Sequence, residues 1–324
     1  MAKLTQAERN PYPYSDSNKR YYTYDYYLRH TFGAKCAKLP LDAGFTCPNI
    51  DGRCGTGGCI YCSGRGSGDF APSDLLGIAE QIRMQKQMFA RKWDVSHCIA
   101  YFQAHSNTYA PLSVLKARYE EALAQEGIVG LNIATRADCL EPDVVEYLAA
   151  LAERTVLTVE LGLQSSNDAT AKYINRGHTY AQFCQGYETL RRASKRIQIC
   201  VHCIFGLPGE DDTVMLNTVH DVAKLHPDQV KLHLLHVLRG TPLAAIYERG
   251  EYVPLERERY IRLVADALEL LPPDTVIGRL TGDGKAEDLL APLWSQKKTT
   301  VINDVDKLLF ARDSYQGKYY SELF

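Results

Sequence analysis

The alternation of apolar runs with amphipathic helical segments is the feature that most constrains how this chain can fold. Helical periodicity lies near residues 73–91, 112–125 and 142–152, and it places Leu75 and Ile82 on the apolar face of the first segment. The apolar runs between and after these helices have the length of buried strands. They comprise residues 35–41, 98–102, 128–133, 156–161, 197–205 and 230–235. This pattern predicts an α/β protein whose parallel sheet is covered on both faces.

Six strand–helix units are too few to close an eight-stranded barrel, so the sequence predicts an open, TIM-like partial (βα)6 barrel over residues 34–245. The tyrosine-rich segment 1–33 is expected to pack its rings on this core. Residues 246–324 are expected to form a small α/β extension with a short strand near Val276. In a sheet of this kind the active site collects at the carboxyl ends of the strands.

Composition excludes several classes of protein. The chain has 324 residues, of which 45% are hydrophobic and 23% are charged, as in an ordinary globular protein. It contains no apolar run of membrane-spanning length and no signal-peptide core, so a cytoplasmic location is expected. A net charge of −2 gives no overall basic footprint for nucleic acid, although a local patch would escape this test. The ten cysteines are therefore expected to be thiols and metal ligands rather than disulfides.

Three cysteines share a glycine-rich loop after the first predicted strand: Cys47, Cys59 and Cys62, the last two in a CxxC run. Iron–sulfur clusters are usually held by four cysteine thiolates. If only three are supplied, one iron keeps an open position, which a catalytic metal requires. Such an iron could chelate the amino and carboxylate groups of S-adenosylmethionine (SAM) and start radical chemistry.

A zinc knuckle or a set of structural thiols is the alternative interpretation, and Cys54 in the same loop is a rival third or fourth ligand. Tyr61 precedes the last cysteine and could stack on an adenine ring. The sequence has no second CxxC or HxxxH at zinc-finger spacing. Both details favour the open cluster. Cys200 and Cys203 also form a CxxC, but on one strand their side chains would diverge to opposite faces.

Polar residues follow the predicted strands and could bind a ligand there. Gln103 and Asn107 offer amides to the amino-acid end of a ligand, and the guanidinium of Arg136 could meet a carboxylate. The backbone of Gly206 lets a flat ligand approach closely. His202 lies in the middle of a strand, where a satisfied core histidine is an equal alternative to a ligand contact. The remaining candidates are Glu160, Gln164, Arg176, Leu207 and Pro208.

Together these motifs resemble the radical SAM enzymes. Besides the cysteine loop, the resemblance rests on residues 160–165, 175–178 (Asn-Arg-Gly-His) and 206–210 (Gly-Leu-Pro-Gly-Glu), which are similar to the branch of the Elongator catalytic subunit and the oxygen-independent coproporphyrinogen oxidases. The chain more closely resembles the bacterial YhcC/YtqA-type family. That similarity is carried by residues 42–49, 107–111, 279–283 and 291–295.

The resemblance implies a radical SAM barrel in which Cys47, Cys59 and Cys62 hold a [4Fe–4S] cluster beside Tyr61, which contacts the adenine of SAM. It implies that Gln164 and Arg176 contact the ribose or carboxylate of SAM and that residues 206–208 line the adenine. Two departures stand out. Eleven residues separate Cys47 from Cys59, so Cys54 remains a rival ligand. Ala134 replaces a glutamate of Elongator-type relatives, and Glu160 or His202 is expected to take over its contacts.

The resemblance also implies a substrate, 5-carboxymethylaminomethyluridine at the wobble position of tRNA, which would be converted towards aminomethyl and methylaminomethyl forms. Hydrogen abstraction from the substituent would begin the reaction, with flavodoxin or ferredoxin as electron donor. No protein residue is assigned a catalytic role. Two other classes stay open: an enzyme acting on a small molecule or cofactor precursor, and a zinc-binding adaptor without catalysis.

Overall fold

The computed structural model of the chain describes residues 10–66, 68–91, 93–282 and 284–323. Asp283, the last residue of the motif at 279–283, therefore lies outside the described residues, as do residues 1–9. The strands are β1 Ala37–Leu41, β2 Cys98–Phe102, β3 Ile128–Thr135, β4 Val156–Gln164, β5 Gln198–Phe205, β6 Gln229–Leu234, β7 Val237–Leu238, β8 Val276–Arg279 and β9 Leu289–Ala291. The helices are α1 Tyr24–Phe32, α2 Ile78–Phe89, α3 Leu112–Leu123, α4 Pro142–Ala152, α5 Asp168–Tyr173, α6 Tyr180–Ala193, α7 Asp212–Leu225, α8 Pro242–Glu248, α9 Arg257–Leu270 and α10 Lys298–Ala311.

The main sheet confirms the predicted α/β partial barrel. Its strand order is β1-β2-β3-β4-β5-β6-β8, and every neighbouring pair is parallel. It has one strand more than expected, because β8, which was assigned to the carboxyl-terminal extension, pairs with β6 through Val230 and Ile277. This pairing covers backbone groups that would otherwise form an open sheet edge. Strands β7 and β9 form a separate antiparallel pair.

The two faces of the main sheet differ in polarity. Leu131, Ile133 and Val159 are fully buried in the hydrophobic core under the helices. The residues between them, such as Asn132 and Glu160, are polar and equally buried, and they point to the inside of the curled sheet. The helices therefore cover the outer face of the sheet, and the inner face, which is buried as well, lines a cavity.

Helix α1 joins the first part of the described chain to the sheet. Thr23 caps the helix by accepting a hydrogen bond from the backbone amide of Tyr26 at 3.1 Å, and Thr23 also forms a parallel bridge with Ile277 of β8. The hydroxyl of Tyr27 accepts a hydrogen bond from Gln198 at the start of β5. These contacts place α1 at the amino-terminal end of the barrel. The domain limits at residues 34 and 246 stay predictions.

Helix α2 begins at Ile78, five residues later than the periodicity predicts. A turn precedes it, in which the amide of Leu76 donates to the carbonyl of Ser73 at 3.1 Å. As a result Leu75 is 91% exposed, whereas Ile82 is buried as expected. In the described ranges, no helix combines the length and the apolar character needed to cross a lipid bilayer.

Candidate active site and metal centre

A cavity of about 230 Å³ lies at the carboxyl ends of the strands, and three thiols form part of its wall. These are Cys47, Cys59 and Cys62, from the loop between β1 and α2. Cys54 is exposed instead, and its Sγ atom lies 3.6 Å from a carboxylate oxygen of Asp138. The predicted residues that line the same cavity are Tyr61, Gln103, Arg136, Glu160, Gln164, Arg176 and His202.

Short backbone turns shape the cysteine loop. The amide of Ile50 donates to the carbonyl of Cys47 at 2.8 Å, and the amide of Cys62 donates to the carbonyl of Cys59 at 3.0 Å. The amide of Gly58 donates to the carbonyl of Asn49 at 2.9 Å, which closes the loop between the two turns. The eleven residues between Cys47 and Cys59 thus fold back on themselves. Cys47 therefore lies in the wall of the same cavity as Cys59 and Cys62.

The Asn-Arg-Gly-His segment after α5 braces this loop from behind. The side chain of Asn175 donates to the carbonyl of Gly58 at 2.7 Å, and the side chain of Asn49 donates to the carbonyl of Asn175. Asn49 also lies 3.8 Å from the sulfur of Cys59. Gly177 has a φ of +78°, and a Cβ atom there would lie 2.8 Å from Oδ1 of Asn49. The glycine is therefore required by both its backbone conformation and its neighbour.

Two buried arginines supply positive charge beside the thiols. Arg176 donates to the carbonyl of Gly162, and Arg136 donates to the carbonyl of Arg176 at 2.7 Å and to Asp138. A hydrogen bond from Cys62, helped by Arg176, lowers the pKa of Cys59 to about 5 against the opposing effect of burial. The same hydrogen bond, together with burial, raises the pKa of Cys62, so the pair holds one thiolate and one thiol. Thiolates are the form of cysteine that binds metal, and the charge of Arg176 favours that form at both sulfurs.

The cavity wall also contains polar atoms without a partner. Within the described ranges, Oε1 of Gln164 and Nε of Arg176 are buried and make no hydrogen bond. The same holds for Nε2 of His233 and of His236. Buried polar atoms are normally satisfied, so unpaired ones around a cavity indicate a polar ligand. Three thiols on one wall and unpaired donors and acceptors nearby fit a three-cysteine [4Fe–4S] cluster with SAM.

Four of the predicted ligand contacts lie behind the wall rather than in it. Asn107 is fully buried, and its amide donates to the carbonyls of Ala104 and Ala134 at 3.0 and 2.8 Å, so it ties two loops together. Gly206, Leu207 and Pro208 follow β5. Leu207 belongs to an apolar cluster against which Tyr61 packs, so this segment supports the tyrosine.

The inner face of the barrel carries a polar group centred on Glu160, whose side chain is completely buried. Its Oε1 accepts from Lys38 at 2.6 Å and from Asn132 at 2.7 Å. Its Oε2 accepts from Nε2 of His202 at 2.8 Å and from Lys231. Burial opposes ionisation, but Lys231 and Lys38 outweigh it and hold the pKa of Glu160 well below its usual range. Burial and Lys231 lower the pKa of His202 to about 4, so the imidazole is neutral.

Glu160, Cys200 and His202 bring their ligand atoms within 4.8 Å of one another, a spacing that suits a metal ion. Because both carboxylate oxygens already accept from ammonium groups, a cation there would be repelled at close range. The prediction that Cys200 and Cys203 diverge is confirmed, since Cys203 lies in the core on the helix side of the sheet.

Sequence reasoning missed Lys38, Lys231, His233 and His236, although three of them line the cavity at the thiols. A signal was present on β6. Lys231 and His233 occupy alternate positions between apolar residues, which is the pattern of a strand with one polar face. The apolar residues that flank Lys231 and His233 make residues 230–235 resemble a continuous apolar run, which masks the alternation.

Comparison with known proteins agrees with this geometry. The family description "Radical SAM superfamily" matches residues 49–222, and "Radical_SAM C-terminal domain" matches residues 227–310. The chain is 46% identical to the protein YtqA of Bacillus subtilis, and the alignment covers 98% of both chains. It is 27% identical over 195 residues to a tRNA uridine(34) acetyltransferase of Methanocaldococcus jannaschii, covering 59% of this chain and 34% of that protein.

The solved structure of Elp3 from Methanocaldococcus infernus has a similar fold. Its TM-score is 0.66 at 18% identity, covering 89% of this chain and 67% of the other. This chain belongs to the radical SAM superfamily, in the YhcC/YtqA-type family whose motifs it carries, and it is an enzyme that uses a [4Fe–4S] cluster and SAM.

Proposed function

We propose that Cys47, Cys59 and Cys62 hold the cluster and that the enzyme modifies a 5-substituted uridine at the wobble position of tRNA. The observation that carries the ligand assignment is the shared cavity wall, which includes these three thiols while Cys54 is exposed and faces Asp138. When bound, the cluster supplies the electron that cleaves SAM to a 5′-deoxyadenosyl radical.

The protein residues bind and orient around that chemistry. Arg136 and Arg176 are held in place by carbonyl and carboxylate acceptors, and they offset the negative charge of the thiolates. Gln164 presents an unpaired buried oxygen to a donor of SAM, and Arg176 presents an unpaired N–H to an acceptor. Tyr61 packs on the apolar cluster of Leu207 and borders the cavity, where it stacks on the adenine.

Two similarities support tRNA as the substrate: the sequence relation to a tRNA uridine(34) acetyltransferase and the fold shared with Elp3. Combined with the YhcC/YtqA-type motifs, they favour 5-carboxymethylaminomethyluridine as the substrate. Abstraction of a hydrogen atom from the carbon between the nitrogen and the carboxylate, loss of a second electron and a proton, and hydrolysis of the resulting imine would release glyoxylate and leave the aminomethyl form, with SAM, cleaved to methionine and 5′-deoxyadenosine, as the two-electron oxidant. A separate methyl transfer from SAM would then give the methylaminomethyl form. The electron donor that we propose is a flavodoxin or ferredoxin.

The ligand assignment is tested by anaerobic reconstitution of single cysteine variants. Wild-type protein is expected to bind about four irons with acid-labile sulfide and to form 5′-deoxyadenosine from SAM and a reductant. Cys47→Ala, Cys59→Ala and Cys62→Ala are expected to lose the 5′-deoxyadenosine activity, whereas Cys54→Ala, the matched control in the same loop, keeps it. Activity that survives Cys47→Ala but not Cys54→Ala would assign the third ligand to Cys54.

The substrate is tested by nucleoside analysis of bulk tRNA from a strain that lacks the protein. We expect 5-carboxymethylaminomethyluridine to accumulate and the aminomethyl and methylaminomethyl forms to disappear. Complementation with wild-type protein should restore the profile, and complementation with Cys59→Ala should not. An unchanged profile in the deletion strain would contradict the assignment to tRNA.

A further inference from the structure

A second cavity, of about 380 Å³, lies at the gap between the two edges of the main sheet. Strands β1 and β8 are those edges, and they contribute Lys38 and Arg279 to its wall. Tyr101 and Lys231 line both this seam cavity and the cavity at the thiols, so the two cavities adjoin. Apolar and aromatic side chains form much of the remaining wall: Tyr24, Pro40, Phe70, Met88 and Phe89. Lys38 therefore presents an amine to a largely apolar space beside the thiol cavity.

The amine of Lys38 is held in place by groups from other elements. Its Nζ atom donates to Oε1 of Glu160 at 2.6 Å, and it lies 3.7 Å from the ring centre of Tyr101 and 5.5 Å from that of Tyr24. Lys231 donates to Oε2 of the same carboxylate, so a second ammonium group lies close by. The exposed fraction of the side chain is 22% for Lys38 and 5% for Lys231. Lys38 is therefore the more accessible of the two amines.

These surroundings are typical of a nucleophilic lysine. An amine attacks a carbon atom only in its neutral form, which desolvation and a neighbouring cation both favour. Burial lowers the pKa of Lys38 to about 7, and Lys231 adds to this effect while Glu160 opposes it. About half of the chains thus hold a free amine at pH 7, against about 0.04% for an ordinary lysine. The titratable groups around Lys38 are Tyr24 of α1, Tyr101 of β2, Glu160 of β4, Cys200 of β5, Lys231 of β6 and Arg279 of β8.

We propose that Lys38 is a catalytic lysine that takes the two-carbon acid from the oxidised substituent by forming an imine with it. The inference rests on the proposed function, in which oxidation of the substituent produces an imine carbon next to the carboxylate. The amine of Lys38 attacks that carbon, and the bond between the carbon and the substituent nitrogen breaks. Two protons pass from Nζ to that nitrogen, and Oε1 of Glu160 lies within reach of the first of them.

The exchange balances without a further oxidant or reductant. It releases the aminomethyl nucleoside and leaves the two-carbon acid bound to Nζ of Lys38 as a new imine. Water then hydrolyses this imine to glyoxylate and the free lysine, so the overall products equal those of direct hydrolysis. The gain is that a fixed amine replaces a diffusing water molecule in the step that frees the nucleoside.

The first test is reductive trapping on the reconstituted wild-type holoenzyme under anaerobic conditions. Glyoxylate with cyanoborohydride converts an imine on a lysine into a stable carboxymethyl group, which peptide mass spectrometry locates. At pH 7 we expect Lys38 to react at least about tenfold faster than Lys116, because of its larger share of free amine. Lys116 is the matched control, since it is exposed and its Nζ atom lies 5.1 Å from the ring centre of Tyr147. Equal rates at the two lysines, or no adduct on Lys38, overturn the proposal.

The second test uses tRNA from the deletion strain and no added glyoxylate. With SAM, a reductant and cyanoborohydride, Lys38 should gain the same carboxymethyl group from the substrate. Conversion of the tRNA without this adduct overturns the inference and leaves the proposed function intact. Trapping of added glyoxylate on Lys38 without any change in the tRNA nucleosides contradicts the proposed function, while the reactivity assigned to Lys38 stands.

A third test separates imine formation from a structural role. Lys38→Ala should slow tRNA conversion at least about tenfold, because an intramolecular attack is lost. Added methylamine should restore part of the rate, whereas trimethylamine, which has no N–H and cannot form an imine, should not. Lys116→Ala is the control and should convert tRNA at the wild-type rate. Rescue by both amines or by neither contradicts the proposal, and if Lys38→Ala does not fold, the two tests on wild-type protein decide.

Discussion

Replacing Glu160 with glutamine removes the only negative charge that the described structure places between Lys38 and Lys231. The substitution keeps the shape of the side chain and leaves both lysines without their counter-ion in a buried site. Burial already lowers the pKa of Lys38 to about 7, so Lys231 carries most of the unbalanced charge. Breaking a buried ion pair in this way costs about 3–5 kcal/mol. Unfolding entropy is about 2.1 cal/mol/K per residue, so for 324 residues we expect the Tm to fall by about 4–7 °C.

The assay is differential scanning calorimetry on wild-type and Glu160→Gln proteins with matched iron content. Glu153→Gln is the control, since Glu153 forms an exposed pair with Arg196 that contributes at most about 1 kcal/mol. The double variant Glu160→Gln/Lys231→Met removes one of the uncompensated charges and is expected to regain part of the lost stability. A Tm within about 1 °C of wild type for Glu160→Gln would refute the charge balance described for the barrel interior.

Three further predictions follow from the structure. Gly177→Ala forces a left-handed conformation at a cost of about 1–2 kcal/mol and crowds Asn49, so iron bound per chain after reconstitution should fall, and full iron content would contradict the bracing role. Burial lowers the pKa of His236 from 6.5 to about 4, so between these values the unfolded chain holds a proton that the folded chain lacks. Wild-type stability should therefore fall as pH falls through this window, and urea titrations of His236→Gln should show a smaller loss. Leu75→Ser should leave the Tm unchanged because Leu75 is exposed, whereas Ile82→Ala should cost about 2–5 kcal/mol in the same scans.

Strand positions followed closely from the sequence, because a fully buried strand requires an apolar run that few other structures tolerate. The strand at Cys98–Phe102 has the predicted limits, and helix α4 at Pro142–Ala152 begins with the expected proline in its first turn. The place of β8 in the sheet was not predictable, since pairing with β6 depends on contacts across more than forty residues. The start of α2 was missed because Leu75 matches the helical periodicity but lies in a turn.

The thiols and their neighbours could be predicted from the sequence because local motifs encode them. Two residues separate Cys59 from Cys62, and Arg176 belongs to a short segment with a glycine of fixed conformation. The charged group around Glu160 in the barrel interior could not be predicted in this way. Lys38 and Lys231 contact Glu160 from strands that are far apart in the chain, so only the curl of the sheet brings them together.

The position of β8 has a consequence for synthesis of the protein on the ribosome. Strand β8 forms a bridge with Thr23, which lies near the beginning of the described chain. The same strand pairs with β6 and covers its outer edge. Until Arg279 has emerged, the nascent chain keeps that strand edge exposed and lacks the bridge between Thr23 and Ile277. A cluster inserted before that moment would enter a sheet that still lacks its last strand, so we expect cluster insertion to follow the completion of β8.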